Sequence, residues 1–495
     1  MPKEELANLA LRRDLFFPAS EIYANAPAGF WDYGGIGEKI RRKTVNLWRK
    51  KFVEKEAFIE INGAQILPKD VFVASGHLES FNDPIVQCEK CHSIHRVDKL
   101  IESQTGEVLP ESMALNKFDE FISKNKIICP KDKGKLGKAK LFNMMMKTEI
   151  GATGNNPCYL RPETCQSIFL DFSRIYKNAR QDLPLGISQE GKAFRNEISP
   201  RNTLLRSREF SQMETEVFFN LEKINEIENF DEVKDYKLQL FLLKDKKIHS
   251  VSCEQAVKEK IVSGKLIAYY LARTQQLYEA YGIKIENLRF RELEADARAF
   301  YSAETWDFEV KTDLGWVELA ACNYRTDYDL KRHGEISKKN LKVKDEEGKE
   351  FIPHVFEISI GVDRTFYAVL DHAFRKEKRG AEERIYLDLH PIMAPYFVAV
   401  FPLQKKDGLK EKAKELAGEL DSCNFEVFFD EKGSIGKRYA RMDEIGVPYA
   451  VTYDYDSLKN NDVTLRERNS MKQARVPIKE LPMKLWKLFN EKEMI

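Results

Sequence analysis

The chain of 495 residues is 43% hydrophobic and 32% charged, the composition of an ordinary globular protein with room for roughly three domains. Its formal net charge of +1 excludes a protein that is basic throughout, so a nucleic-acid partner would have to meet local basic patches. Eight cysteines are too few for a disulfide scaffold and no apolar run approaches the roughly 18 residues of a membrane span, so we expect a cytoplasmic protein without membrane contact.

The first 140 residues predict a long helix, a strand and an excursion. Residues 37–53 (GEKIRRKTVNLWRKKFV) place apolar residues at helical spacing among basic ones, which predicts an amphipathic helix. DVFVASGH, residues 70–77, is interpreted as the end of a strand. From about residue 88 to 140, two cysteine-bearing corners enclose a lysine-rich stretch, which predicts an insertion that leaves the main domain.

Residues 191–219 predict two strands joined by a loop. GKAFRNEI begins the stretch, the turn-rich SPRNTLL follows, and EFSQMETEVFF ends it. In the last segment Phe210, Gln212, Glu214 and Glu216 alternate with apolar or small residues, so they would share one face of a sheet. A solvated charged face is the simpler explanation of such a run. Cations, carboxylates and an aromatic ring on one face nevertheless have the geometry of a binding site.

The remainder of the first domain predicts a second insertion and a strand followed by a helix. Residues 221–290 are rich in lysine and glutamate with helical periodicity, and we expect them to be inserted. Strands resume near residues 291–320. HVFEISIGVDRTFYAVLDHAF, residues 354–374, predicts a strand, a turn at Gly361 and a helix.

The last hundred residues predict a separate domain. Strand-like segments (YFVAVFPL, FEVFF, PYAVTYD and DVTLRER) alternate with helical ones (LKEKAKELAGEL and SIGKRYARMDEIG). This alternation predicts an α/β domain with a largely parallel sheet. We place the boundary at about residues 391–396, which gives a first domain of residues 1–390 and a second of residues 391–495.

Neither glycine-rich segment of the chain is a known phosphate-binding loop. GSIGKR, residues 433–438, lacks the glycine spacing and the hydroxyl residue after lysine that a P-loop needs. GGIGEK, residues 34–39, lacks the third glycine of a dinucleotide fingerprint. A protein of this sequence that uses ATP must therefore bind it with another architecture.

The strand–loop–strand segment resembles such an architecture. FRNE followed by RSREF is similar to motif 2 of class II aminoacyl-tRNA synthetases, GVDRTFY to motif 3, and the helix at 37–53 to motif 1, the dimerisation element. DYGGIG, SGHLESFNDP, YLRPETCQSIFLDF, FRNEISPR, REFSQMETE and SIGKRYARMDEIGVPY extend the resemblance from residue 30 to residue 475, to the homodimeric glycyl-tRNA synthetases. The resemblance implies an α+β catalytic domain, with an antiparallel sheet flanked by helices, and a C-terminal α/β anticodon-binding domain.

The resemblance also implies substrates, cofactors and site residues. We expect ATP and Mg²⁺, glycine and its tRNA, and a homodimer. Arg195 and Arg364 would be the catalytic residues. Of the residues implied to bind ATP, Arg195 would bind the α-phosphate and the substrate carboxylate, Glu197 the adenine amino group and Arg206 the γ-phosphate. Phe210 would stack on one face of adenine, and Arg364 would lie on the other face and contact the terminal phosphate. Glycine would be bound by Glu163, Glu214 and Ser359, and Mg²⁺ and ATP by Glu318 and Glu357.

Two competing functions remain open at this stage. The first is a class II synthetase for another small amino acid, namely threonine, serine or proline. The second is a synthetase-like RNA-binding protein without catalysis, which we would expect to have lost Arg195, Phe210 or Arg364, although all three are present. Each glutamate above also has a structural alternative, as the partner of an ion pair.

The cysteine corners predict a zinc site. CEKC supplies Cys88 and Cys91 with metal-ligand spacing, and CPKD supplies Cys129 and Asp132 where zinc-bearing members of the family have a second CxxC. Asp132, His92 or His95 would be the fourth ligand, and the alternative is a degenerate corner without metal. We expect loss of this insert to impair tRNA use or stability before adenylate formation. The other five cysteines are interpreted as small buried hydrophobic residues.

Overall fold

In the computed structural model, which describes residues 2–110, 113–152, 156–200, 202–294, 298–299, 301–380 and 382–493, helices and strands are mixed along the whole chain. The helices are α1 (Pro2–Arg12), α2 (Gly35–Trp48), α3 (Lys69–Ala74), α4 (His77–Ser80), α5 (Val97–Thr105), α6 (Leu115–Lys124), α7 (Cys165–Ala179), α8 (Cys253–Lys258), α9 (Lys265–Ala280), α10 (Tyr328–Ser337), α11 (Val362–Ala373), α12 (Leu409–Ser422), α13 (Ile435–Glu444), α14 (Tyr455–Asn460) and α15 (Leu481–Glu493). Short 3₁₀ turns are at Thr203–Leu205, Leu221–Lys223, Glu228–Glu232, Ile285–Asn287, Pro391–Met393 and Ile478–Glu480.

The strands belong to one large sheet and several small ones. They are β1 (Phe16–Pro18), β2 (Trp31–Tyr33), β3 (Ile59–Ile61), β4 (Ile66–Pro68), β5 (Asn82–Gln87), β6 (Ile94–Arg96), β7 (Lys140–Asn143), β8 (Met146–Ile150), β9 (Asn156–Leu160), β10 (Leu185–Phe194), β11 (Glu209–Phe219), β12 (Lys237–Leu242), β13 (Lys247–Ser252), β14 (Leu288–Glu292), β15 (Glu304–Thr312), β16 (Gly315–Thr326), β17 (Val343–Lys344), β18 (Glu350–Phe351), β19 (His354–Gly361), β20 (Phe374–Arg379), β21 (Glu382–Leu387), β22 (Val398–Pro402), β23 (Val427–Phe429), β24 (Tyr449–Tyr453), β25 (Asp462–Glu467) and β26 (Gln473–Pro477).

The large sheet has nine strands in the order β13-β12-β14-β15-β16-β19-β11-β10-β3. Its neighbours pair antiparallel except at β10–β3 and β12–β14, which are parallel. One face carries the main hydrophobic core, to which α2, α9 and α11 contribute. The other face is apolar at Phe218, where α7 covers it, and polar along the preceding part of β11. The predicted antiparallel sheet flanked by helices is confirmed.

Two local predictions have different outcomes. The helix predicted for residues 37–53 is confirmed as α2, which continues as a π-helical turn over Arg49–Glu54. The strand predicted to end in DVFVASGH is wrong, because residues 69–74 and 77–80 form α3 and α4. Pro68 precedes α3 in an extended conformation, and α3 buries Val71 and Phe72 in a small core of their own. Adjacent residues point to opposite faces of a strand but to neighbouring faces of a helix, so the burial of both in one core favours the helix over their preference for strands.

Residues 221–290 belong to the main sheet and its core, although we predicted an insertion. They supply β12 and β13 and lead directly into β14. Buried Leu238, Leu240 and Leu242 alternate with more exposed residues along β12. This is a strand pattern, which our prediction of helical periodicity for these residues missed. Helix α9 is buried on nearly all sides within the main core.

A compact unit at residues 82–143, here called the cysteine unit, covers the span of about residues 88–140 in which we predicted an excursion and extends a few residues beyond it at each end. It consists of the sheet β6-β5-β7 and the helices α5 and α6. Its hydrophobic core is separate from that of the main sheet and includes Val86, Leu100 and Phe118.

The C-terminal part has its own five-stranded sheet, in the order β23-β22-β24-β25-β26. The prediction of strands alternating with helices is confirmed for residues 398–467. A largely parallel sheet is wrong, because β22 pairs in parallel with β23 and β24 whereas β25 pairs antiparallel with β24 and β26. Residues 454–461 between β24 and β25 are fewer than the dozen or so that a parallel crossover needs. Among the described helices, none has both the length and the apolar character needed to cross a membrane.

Candidate functional site

The polar face of the large sheet forms the floor of a cavity of about 490 Å³. This volume lies within the range of about 300–1,000 Å³ that is common for small-molecule sites. All ten residues predicted for nucleotide, magnesium and amino-acid binding line it: Glu163, Arg195, Glu197, Arg206, Phe210, Glu214, Glu318, Glu357, Ser359 and Arg364. The structure therefore brings together residues that are up to 201 positions apart in the chain.

The register of three strands assembles the floor. Phe210, Gln212 and Glu214 are two residues apart on β11, so they lie on the same face. On the neighbouring strand β19, Ser359 lies opposite Glu214. On β16, Asn323 lies opposite Glu357 of β19. Side chains directly opposite one another in a sheet are close enough to act together, so a polar surface forms across β11, β19 and β16.

An aromatic and cationic platform lies at one end of the cavity. The Arg195 guanidinium carbon is 5.3 Å from the centroid of the Phe210 ring and 5.4 Å from that of Phe81. Arg195 Nε also donates a hydrogen bond to the carbonyl oxygen of Pro162, at 3.2 Å. These contacts hold the positive charge beside the Phe210 ring. A flat aromatic base and an attached phosphate can therefore be bound side by side.

Two further arginines are paired with carboxylates at the cavity wall. Arg206 Nε is 2.8 Å from Glu197 Oε2, and Arg364 Nη1 is 3.4 Å from Glu318 Oε1. Arg364 also donates to the carbonyl oxygens of Leu205 and Glu318, at 3.1 and 2.9 Å. Partly exposed ion pairs contribute little to stability. Both guanidinium groups can thus exchange part of their carboxylate contact for a phosphate.

The other end of the cavity is acidic and buried. Glu214 Oε2 accepts hydrogen bonds from the backbone N–H of Thr164, at 2.7 Å, and from the Thr164 hydroxyl. Gln212 Nε2 donates to Ser359 Oγ at 3.0 Å. Glu163 Oε1 accepts from Cys165 Sγ and Gln166 Nε2, both at 2.9 Å. The positions of both carboxyl groups are fixed by neighbours, which is the preorganisation that a small ligand requires.

The two carboxyl groups have opposite pKa shifts. Burial acts to raise the pKa of Glu163, but His77 and the Arg325 guanidinium hold it well below its usual range. Burial and the negative charge of Glu163 raise the pKa of Glu214. Glu163 therefore keeps its negative charge at neutral pH, and a cation bound between the two groups would favour the ionised form of Glu214 as well.

Arg325, which the sequence analysis missed, is the buried cation that contacts the carboxyl groups of this acidic end. It is fully buried, with Nε and Nη2 at 2.7 and 2.8 Å from the Asp329 carboxylate and Nη1 at 2.7 Å from Glu357 Oε1. Its guanidinium carbon lies 3.7 Å from the centroid of the Tyr301 ring. No motif contains this arginine. The signal that could have found it is a charged residue in the buried strand β16, four residues before an aspartate.

Glu357 is held differently from Glu318. One of its oxygens binds Arg325 and the other accepts from Asn323 Nδ2. Burial raises the pKa of Glu357 to about 8, although Arg325 acts in the opposite direction. Glu318 has a side chain that is 43% exposed and presents its carboxylate to the cavity. Of the two predicted magnesium ligands, Glu318 is the one whose oxygens remain accessible.

A second buried carboxyl group follows Glu214 on the same face. Ligand atoms of Cys165, Glu214, Glu216 and Glu357 all lie within 4.8 Å of one another. Among the described residues, neither oxygen of Glu216 has a hydrogen-bond partner. Burial and the charge of Glu357 raise the pKa of Glu216 well above its usual range. A cation bound at this end would favour the ionised forms of these carboxyl groups, so this end of the cavity suits a positively charged group.

The predicted metal ligands converge in the cysteine unit. Ligand atoms of Cys88, Cys91, Cys129 and Asp132 lie within 4.8 Å of one another, and Cys91 Sγ is 3.7 Å from Cys129 Sγ. The backbone N–H of Gly134 lowers the pKa of Asp132 to about 2, so its carboxylate is ionised. Three thiols and one carboxylate are a donor set that suits tetrahedral Zn²⁺.

The alternative fourth ligands differ in position. His95 Nε2 lies 3.4 Å from Cys129 Sγ, next to the cluster. His92 has a left-handed backbone, with φ of 58°, and its N–H donates to the carbonyl oxygen of Cys88. Asp132 is the fourth member of the compact group of ligand atoms, so it fits the fourth position best.

Comparison with known proteins gives matches to both parts of the chain. A family model described as the tRNA synthetase class II core domain (G, H, P, S and T) matches residues 147–373, and one described as an anticodon binding domain matches residues 397–488. The glycine–tRNA ligase of Pyrococcus furiosus is 37% identical, with 98% of this chain and 98% of the relative covered. That of Methanocaldococcus jannaschii is 37% identical, with 97% of each chain covered. That of Methanothrix thermoacetophila is 36% identical, with 96% of this chain and 94% of the relative covered.

Proposed function

Because the chain belongs to the glycine–tRNA ligase family of class II aminoacyl-tRNA synthetases, we propose that it attaches glycine to its tRNA through a glycyl adenylate made from ATP. The observation that carries the proposal is that one cavity has the platform of Arg195 and Phe210 at one end and the buried carboxyl groups of Glu163 and Glu214 at the other. Such a cavity accommodates a nucleotide and a small ammonium compound next to each other.

The first reaction step follows from this arrangement. Adenine stacks on Phe210 and its amino group is bound by Glu197, while Arg206 and Arg364 contact the outer phosphates. Arg195 lies between base and amino acid, where it binds the α-phosphate and the glycine carboxylate. The carboxylate then attacks the α-phosphorus in line and pyrophosphate leaves, so the enzyme contributes orientation and positive charge and no covalent nucleophile.

Magnesium belongs to the nucleotide end of this scheme. Class II synthetases use Mg²⁺ with ATP, where the ion neutralises charge on the phosphates. We assign the protein contact to Glu318, because both oxygens of Glu357 are engaged by Arg325 and Asn323. Glu357 instead holds Arg325 under the amino-acid end.

Selection of glycine relies on charge and size. Glu163 and Glu214 attract the ammonium group, and Ser359 lies opposite Glu214 on the neighbouring strand, where it limits the space for a side chain. An additional methyl group in a tight site typically costs about 1–3 kcal/mol. Since no amino acid is smaller than glycine, exclusion by size can suffice without an editing site.

Replacement of Glu214 tests the amino-acid end. Glu214→Gln should weaken glycine activation on the order of 10–100-fold, because a charge-assisted hydrogen bond to the ammonium is lost, and should leave the KM for ATP nearly unchanged. In the wild type, the KM for glycine should rise as the pH falls through the raised pKa of Glu214, because protonation removes the negative charge. Glu214→Gln should lack this dependence.

Glu209→Gln is the matched control for that experiment. Glu209 is on the same strand, is partly exposed and pairs with Lys192. Exchange kinetics measured at several pH values distinguish the variants. Equal losses in both, or a loss that appears in the KM for ATP, would contradict the role of Glu214.

The competing functions are tested with a panel of amino acids. ATP–pyrophosphate exchange should be stimulated by glycine and only weakly by alanine, serine, threonine or proline. A stronger response to one of these would favour a synthetase for another small amino acid. No exchange with any of the twenty, from folded protein, would favour the RNA-binding protein without catalysis.

The remaining parts of the proposal concern organisation. We propose a catalytic domain of residues 1–390 and an anticodon-binding domain of residues 391–495, with the tRNA bound by both. We also propose a homodimer. Strand β3 follows the helix that resembles motif 1, the dimerisation element, and it lies at the edge of the large sheet, where a second chain could approach. A protein of this activity acts where tRNA is charged, and we propose a cytoplasmic location.

We also propose that the cysteine unit binds one structural Zn²⁺. Protein prepared with zinc should contain about one equivalent, held by Cys88, Cys91, Cys129 and Asp132. Elemental analysis of Cys91→Ser should show a loss of most of this zinc. Cys423→Ser is the control, because Cys423 lies outside the cluster. Less than about a tenth of an equivalent in the wild type would favour a corner without metal.

A further inference from the structure

The cysteine unit forms part of the wall of the nucleotide cavity. Asp83, Arg96 and Lys99 of the unit, and Met144 directly after it, line the cavity together with the residues of the class II motifs. Arg96 ends β6 and Lys99 lies in the first turn of α5. Our expectation that loss of this insert affects tRNA use before adenylate formation rested on distance in sequence, whereas in space the insert adjoins the site.

Hydrogen bonds connect the residues directly before and after the unit to the segment after β10 that contains Arg195. The backbone N–H of Asn196 donates to the carbonyl oxygen of Met144, at 2.8 Å, and the N–H of Met144 donates to that of Phe81, at 3.0 Å. The Phe81 ring packs against the Arg195 guanidinium. The position of this wall relative to Arg195 is therefore fixed by backbone contacts.

The two cations of this wall differ in what they bind. Arg96 is 6% exposed, and its guanidinium is held by Asp98, at 3.0 and 2.7 Å, and by Asp83, at 3.2 Å. Lys99 Nζ is 2.9 Å from Glu102 Oε2, three residues further along α5, and both side chains are 39% exposed. An exposed pair of this kind contributes little to stability, so the Lys99 ammonium is free to exchange Glu102 for another anion.

We propose that Lys99 binds a phosphate group in the cavity, as a cation additional to Arg195, Arg206 and Arg364. The phosphate belongs either to the leaving pyrophosphate of ATP or to the backbone at the 3′ end of the tRNA, which must reach the same cavity for the second step. A flexible ammonium on the cavity wall suits either source, because lysine binds phosphate as a point charge. The inference rests on the proposed placement of ATP in the cavity.

The test compares Lys99→Met, Lys99→Arg and Lys117→Met. Lys117 is exposed on α6 of the same unit and is not among the residues that line the cavity, so it is the matched control. Each variant is assayed for glycine-dependent ATP–pyrophosphate exchange without tRNA and for charging of tRNA. Thermal unfolding shows whether each variant remains folded.

If the pyrophosphate is the ligand, Lys99→Met should raise the KM for ATP about tenfold in exchange, the effect of losing one charged contact. If the tRNA backbone is the ligand, exchange should stay within about twofold, while the KM for tRNA rises about tenfold and its salt dependence becomes weaker. Lys99→Arg should recover most of the loss in either case. Both results support the proposal and identify the source.

The proposal is overturned if Lys99→Met behaves like Lys117→Met in both assays, or if Lys99→Arg is as impaired as Lys99→Met, because the latter would indicate a packing role. Arg195→Ala is assayed in parallel. If Arg195→Ala loses exchange while Lys99→Met is normal in both exchange and tRNA charging, the role of Lys99 alone is rejected. Full activity of Arg195→Ala would reject the placement of ATP itself.

Discussion

Arg195→Ala and Arg364→Ala are each expected to lower the rate of glycine-dependent ATP–pyrophosphate exchange on the order of 10²–10³-fold, equivalent to about 3–4 kcal/mol of transition-state stabilisation. As the carboxylate attacks the α-phosphorus, negative charge builds up on the phosphate oxygens. Fixed cations that need no reorganisation stabilise this charge most effectively. Both arginines meet this condition, because neighbouring rings or carbonyl oxygens hold them in position.

The measurement separates binding from chemistry. Because the charge develops in the transition state, the loss should appear mainly in kcat and less in the KM for ATP. Arg42→Ala is the control, since Arg42 is exposed on α2, pairs with Glu38 and is absent from the cavity lining. Exchange within threefold of the wild type in both cavity variants would reject the assignment of these two arginines.

Arg325→Met is expected to destabilise the fold by about 3–5 kcal/mol, because removal of one partner leaves buried charges uncompensated. Asp329 and Glu357 are both buried and both contact Arg325. Without the guanidinium, both carboxyl groups lose their cationic partner in a buried environment. Glycine activation should also fall, since Glu163 and Glu357 lose the cation that orients them.

The pH dependence of the destabilisation has a definite sign. In the Arg325 variant the pKa of Glu357, which is already raised in the wild type, should rise further above its unfolded value because the opposing guanidinium is gone. The folded protein then binds more protons than the unfolded one, and the free energy of unfolding decreases as the pH rises above the ordinary carboxyl pKa. The deficit relative to the wild type should therefore be larger at pH 8 than at pH 5.

Urea unfolding at the two pH values measures this effect. Arg325→Met combined with Asp329→Asn should be less destabilised than Arg325→Met alone, because one of the stranded charges is removed. Arg42→Ala again serves as the control, with an expected change within about 0.5 kcal/mol. A deficit that is equal at both pH values would show that lost packing, and not charge, is responsible.

Much of the local structure could be predicted from sequence. The alternation of β11, the strand, Gly361 and helix order at β19 and α11, and the succession of strands and helices after residue 396 all follow from periodicity. Side-chain period and backbone conformation are set by neighbours a few residues away, so a short window contains the information. The ten residues that the motif resemblance predicted for the site all line one cavity.

Other features depend on contacts between distant segments. Strand β12 alternates locally, but its place in the large sheet depends on parallel pairing with β14, almost fifty residues further along the chain. In the C-terminal sheet, β22 pairs with β24 across about fifty residues. Helix α3 forms because its apolar side chains are buried together. Tertiary burial decides such cases, since local propensity is a weak preference.

The sequence by itself determined which arginines, carboxylates and aromatic ring we propose for the nucleotide and amino-acid site, because motif spacing and residue type are local properties. The tertiary structure alone decided which groups support and enclose that site. Arg325 contacts the acidic end because β16 places it 2.7 Å from Glu357 and 3.9 Å from Glu163, and Lys99 lines the cavity because the cysteine unit adjoins the segment after β10 that contains Arg195. The functional environment of a charge is set by what is packed around it, which only the folded chain defines.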